Sequence, residues 1–172
     1  MPPLIERAGR HGLIVALFVL GFFALGSFGA IGGLLSLASG IAGMVCVVRA
    51  QRACEREACA ASGRGLSIAA LASYGVAITF FAGLLVALVV YVALRFIWPD
   101  YIVSQLEAAA TTLSQIPEYA ALYAQLSSVL KNGPIPTAAD MMASVLMIMM
   151  ITGVFIGIVG AIIAKISNRR QR

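Results

Sequence analysis

"GLIVALFVLGFFALGSFGAIGGLLSLASGIAGMVCVV", Gly12 to Val48, contains no Asp, Glu, Lys or Arg. A helix crosses the ~30 Å hydrocarbon core of a bilayer with about 20 residues, in a working range of roughly 17 to 25. One span would therefore need extreme tilt to absorb this stretch. Near its middle, "GSFGAIGG" (Gly26 to Gly33) supplies four glycines, which permit a tight backbone turn at little steric cost. Two spans are expected, over residues 12–28 and 30–48.

Working outward, Leu66 to Leu94 forms a third apolar run. It is opened by the small, flexible "SGRG" and closed by Arg95, giving a span over residues 66–95. Met141 to Ala164 forms a fourth, over residues 139–165, closed by Lys165. Composition agrees: of 172 residues 61% are hydrophobic and 11% charged, against about 45–50% and about 25% in globular chains. Arg7 and Arg10 before an apolar run, with Ala24 and Gly26 at a small-x-small site, imitate a signal peptide. The chain from Phe28 to Val48 stays apolar, so the first segment is read as a retained span.

Charge tests the count independently, because short cytoplasmic loops of membrane proteins collect Lys and Arg. With four spans and both termini cytoplasmic, the inner side holds Arg7, Arg10, Arg49, Arg52, Arg56, Arg64, Lys165, Arg169, Arg170 and Arg172, ten of the twelve basic residues. Against Glu6, Glu55 and Glu57 the inner side nets +7. The outer side, with Arg95 and Lys131 against Asp100, Glu107, Glu118 and Asp140, nets −2. A single span over Gly12 to Val48 would put the two arginine clusters on opposite sides. The net +5 of the whole chain thus belongs to a membrane surface, and no nucleic-acid partner is expected.

The outer segment, residues 100–132, joins spans three and four. Trp98 and Tyr101 stand at the headgroup level that amphipathic rings favour. Pro99 stops the third helix, and Asp100 is placed to cap the next. Ile102, Leu106, Ala109 or Ala110, Leu113 and Ile116 recur at helical spacing. Pro117 interrupts; Tyr119, Leu122, Leu126 and Leu130 resume the pattern; "NGP" (Asn132 to Pro134) ends it. The segment is expected to lie over the outer surface of the bundle with its apolar stripe toward lipid or protein. Thr137 and Asp140 match a capping box for the fourth span.

These pieces together resemble a family of small bacterial membrane proteins catalogued as domain of unknown function number 4199. The residues that carry the resemblance are "GRGLSIAALASYG" (Gly63 to Gly75), the aromatic exit "IWPDY" (Ile97 to Tyr101), the helical outer segment, and "GVFIGIVGAIIAK" (Gly153 to Lys165) with its basic tail. The resemblance covers the chain from about Gly63 onward and is looser before it. It implies a four-helix protein of the bacterial inner membrane and no known activity.

Small residues four apart let helix backbones approach closely without hydrophobic drive. Such ridges run through Gly29 and Gly33 and through Gly32, Ser36 and Gly40 in span two; through Ala69, Ser73 and Ala77 in span three; and through Gly153, Gly157 and Ala161 in span four. They are read first as packing within the chain, with oligomerisation as the minority use. Arg49, Arg52, Arg95, Trp98, Tyr101 and Lys165 mark the membrane interfaces. The arginines around Cys54 and Cys59 are expected near anionic headgroups at ~1 kcal/mol each.

No catalytic, cofactor or metal site is expected. Ionisable groups at mid-membrane mark proton and ion paths; the spans show only hydroxyls such as Ser36, Ser73, Tyr74, Thr79, Ser144 and Thr152. Met141, Met142, Met147, Met149 and Met150 read as flexible apolar surface more readily than as a soft copper site. Cys54 and Cys59, with Arg49 to Arg64 read as a cytoplasmic loop, have neither the spacing nor a second His for zinc, although membrane-proximal thiols are sites of acylation. The outer acids Asp100, Glu107, Glu118 and Asp140 read as a solvated face. The expectation is a non-enzymatic, multi-pass protein, structural or accessory to a membrane complex, with lipid and possible homo-oligomer or complex partners. The alternative is an oligomeric transport or channel component.

Overall fold

The computed structural model describes residues 4–26, 29–63 and 65–169, and the described chain is all-α. The side chains of residues 26, 29–31, 117, 132, 168 and 169 also lie outside the description. Six α-helices follow in order: α1 Leu4–Gly26, α2 Gly29–Ser62, α3 Ile68–Val92, α4 Tyr101–Ser114, α5 Ala120–Asn132 and α6 Ala138–Arg169. Among the described residues four stretches are long and apolar enough to cross a membrane: Leu4–Leu25, Gly32–Ser62, Ile68–Ile97 and Ala138–Ser167. The uninterrupted apolar run does fold as two such helices. Ser27 and Phe28 of the expected turn, and Arg64, Arg170 and Arg172 of the basic side, lie outside the described residues.

One sequence reading is corrected by α2. The stretch taken as a cytoplasmic loop, Arg49 to Arg64, is helical through Ser62. "RAQRACEREACAA" (Arg49 to Ala61) consists mostly of Ala, Arg, Gln and Glu, the best helix formers, and no Gly or Pro interrupts it. The helix ends where Gly63 takes φ +68° and donates its N–H to the Cys59 carbonyl, 2.9 Å. That left-handed conformation suits Gly.

The chain divides into two compact units, Met1–Val86 with Val145–Arg172, and Ala87–Ser144. In the first, α1 and α2 pack along each other, tied by the Ser39 hydroxyl donating to the Phe18 carbonyl, 2.7 Å. Its core includes Val15, Ala16, Val47, Leu71, Ile78 and Ala82.

In the second unit the third span ends in a π-helical turn, Ala93–Ile97, closed by the Trp98 N–H on the Ala93 carbonyl, 2.8 Å. Asp100 occupies the cap position of α4 but makes no side-chain cap bond, contrary to expectation. It contributes its carbonyl to the Ser104 N–H, 3.0 Å. Pro117 begins a short 3₁₀ turn, Pro117–Tyr119, before α5 packs on α4. Ahead of α6, Thr137 and Asp140 form the reciprocal capping box. The Thr137 N–H donates to the Asp140 carboxylate at 2.9 Å, and the Asp140 N–H donates to the Thr137 hydroxyl at 3.2 Å.

Candidate functional site

The first unit buries polar side chains where the start of α1, the last turns of α2, the entry to α3 and the end of α6 meet; we refer to this as the basic end. Gln51 and Glu55 are fully enclosed, 0% and 2% exposed. They lie one turn apart on α2, continuing the buried face that carries Val47. The Gln51 side-chain amide donates to two carbonyls on different helices, Leu71 of α3 and Gly157 of α6, each at 2.9 Å. Carbonyls only accept, so this pair of bonds sets the amide orientation. Its oxygen, with no partner among the described residues, is left facing the glycine surface of α6 at Gly160.

Glu55 reaches two other elements. Lys165 Nζ of α6 donates to its carboxylate at 2.7 Å, and the Leu66 N–H, ahead of α3, donates at 2.8 Å. A buried charge persists only when paired and hydrogen-bonded, and these contacts supply both. Gly65 lies so close to the carboxylate that a methyl group there would collide with it. Beside this, Arg7 of α1 pairs with Glu57 of α2. His11 Nδ1 lies 2.8 Å from the Arg7 carbonyl and 3.3 Å from the Tyr74 hydroxyl. A carbonyl accepts only, so Nδ1 carries the proton in the first contact. Every helix of the unit is thereby cross-linked by polar contacts at this end.

These residues are the main correction to the sequence reading, which places Glu55 in a cytoplasmic loop and only hydroxyls within the spans. Lys165, expected at an interface, is engaged inward by Glu55. The signal was present: Val47, Gln51 and Glu55 are spaced by four, so the apolar face of α2 runs straight into the two polar residues. Reading "RAQRACE" as loop hid that continuity.

The small residues divide by what they meet. A methyl on Gly75 of α3 would lie 2.8 Å from Gly157 Cα, and one on Gly157 would lie 2.9 Å from the Ala72 carbonyl. Here α3 and α6 approach backbone to backbone. Gly153 faces Thr79, and Ala161 is buried. Gly12, not singled out from the sequence, meets Ile78 and Phe81 of α3. In α2, Ser36 is buried, Gly40 lies against the Phe22 ring, and Gly33 has open space around it. Gly29 begins α2, and its surroundings lie outside the described residues. In α3, Ala77 is half-buried while Ala69 and Ser73 are exposed. The face of α3 that packs on its neighbours is instead Leu71, Tyr74, Gly75, Ile78 and Ala82.

Away from the basic end, α1, α2 and α6, with Thr79 of α3, enclose a half-open apolar hollow of about 300 Å³. Val19, Phe22, Met44, Ile148, Met149 and Ile156 contribute to its wall. Of the residues expected at membrane interfaces, Arg49, Arg95, Trp98 and Tyr101 are exposed and Arg52 is half-buried. Cys54 is buried, and Cys46 and Cys59 are half-buried. Among the described residues no three of His, Cys, Asp and Glu group as metal ligands would.

A family model described as "Protein of unknown function (DUF4199)" matches residues 10–165, and the chain belongs to that family. No curated protein and no solved structure matches it.

Proposed function

We propose that this member of a family of unknown function is a non-enzymatic protein of the bacterial inner membrane, structural or accessory to a membrane complex, with both termini cytoplasmic. The observation that carries the reading is how the Glu55 carboxylate is used. It accepts from Lys165 and from the Leu66 N–H, so the most enclosed acid of the unit serves as a fastener between helices. The positive-inside asymmetry supports the orientation. For the partner surface, Ala69 and Ser73 leave a small-residue ridge of α3 exposed, where another helix could approach closely.

Pull-down of the full chain from native membranes, with mass spectrometry, tests this. A stoichiometric partner, or a second copy of the chain, is expected, and Ser73→Leu is expected to weaken its recovery. Solute flux through liposomes carrying the chain alone, with no partner recovered, would instead establish the transport reading.

A further inference from the structure

At the basic end every acid is already engaged. Glu6 pairs with Arg10, Glu57 with Arg7 and Glu55 with Lys165. Three arginines of α2 remain: Arg49, Arg52 and Arg56 have no carboxylate partner among the described residues. Spaced by three and then four, they share one helix face. Arg49 and Arg56 are exposed and Arg52 half-buried. The Arg52 Nε is enclosed and has no hydrogen-bond partner among the described residues. A guanidinium N–H removed from water without an acceptor is costly. With Nε closed off, the outer nitrogens of the Arg52 fork, flanked by Arg49 and Arg56, are the donors that an anion can reach.

We propose that Arg49, Arg52 and Arg56 form a binding site for the phosphate of an anionic bilayer lipid, with the planar fork of Arg52 at its centre. Guanidinium groups recognise phosphate oxygens through paired, directional N–H bonds that an ammonium group cannot reproduce. The position of the stripe argues for a lipid source. Arg49 directly follows the apolar run that ends at Val48, which places the stripe at headgroup level on the side that faces anionic lipid. The site differs from diffuse attraction because Arg52 is half-buried with its Nε held inside the protein, which fixes the plane of the fork, and it rests on the membrane orientation proposed above.

The test is native mass spectrometry of the full chain, extracted from bilayers of equal phosphatidylglycerol and phosphatidylcholine, counting retained lipid. The wild type is expected to retain phosphatidylglycerol preferentially. Arg52→Gln is expected to reduce that preference about fivefold, the ratio that ~1 kcal/mol per arginine implies. Arg52→Lys keeps the charge but loses the fork, and is expected to behave like Arg52→Gln. Arg56→Gln gives a smaller loss, while Arg10→Gln, whose cation is already paired, gives none. Full preference in Arg52→Lys would overturn the proposal in favour of diffuse charge. Displacement of the lipid by millimolar inorganic phosphate would overturn the lipid source. Either failure leaves pull-down of a partner unaffected, so it is distinguishable from failure of the functional reading.

Discussion

The basic end and the apolar hollow lie on the same helices and are held by different physics. At the basic end, Gln51 bridges α3 and α6, and Glu55 bridges α6 and the entry to α3. In the hollow, α1, α2 and α6 face one another with almost no polar wall and leave about 300 Å³ unfilled. Lipid tails are as apolar as the side chains, so burying more hydrocarbon adds little drive to helix association in a bilayer. Polar contacts and close backbone approach must set the register; most lie at and beside the basic end, with the Ser39 to Phe18 bond the tie next to the hollow. The hollow tolerates imperfect packing because the surrounding solvent is itself hydrocarbon.

Four substitutions probe that contrast. The largest effect is expected for Lys165→Ala, which leaves the charge of the enclosed Glu55 carboxylate unpaired. Breaking a buried pair from one side costs about 3 kcal/mol, readable as lost unfolding free energy in micelles. Next is Gly157→Ala, whose methyl meets the Ala72 carbonyl at 2.9 Å; forcing α3 from α6 costs about 1–3 kcal/mol. In the hollow, Val19→Leu adds a methylene where there is room, so stability should stay level or rise by up to about 1 kcal/mol. A Val19→Leu loss as large as that of Gly157→Ala would remove the distinction between the regions. Smallest is Arg7→Ala, because solvent-accessible pairs contribute little, and no resolvable change in melting temperature is expected.

Much of the architecture was legible in residue types. The charge-free run from Gly12 to Val48 required two helices, and the capping box at Thr137 and Asp140 followed from spacing alone. Three features were not. The helical continuation to Ser62 was masked because its charges resemble a loop, although its residues favour helix. Which small residues meet a neighbouring backbone depends on helix rotation, which spacing cannot supply. Gly75 and Gly157 are in contact, whereas Ala69 and Ser73, equally small, face outward. The Glu55 to Lys165 pair joins residues 110 positions apart, and no local pattern predicts such a partner.

Glu55 and Lys165 act as one fastener, and a double-mutant cycle of Glu55→Ala and Lys165→Ala, read by unfolding free energy of the full chain, tests this most directly. Strong coupling is expected: once Glu55 is gone, removing Lys165 should cost nothing or restore stability, with an interaction energy of at least about 1 kcal/mol. Losses that add to within about 0.5 kcal/mol would contradict it and leave the two residues as independent charges.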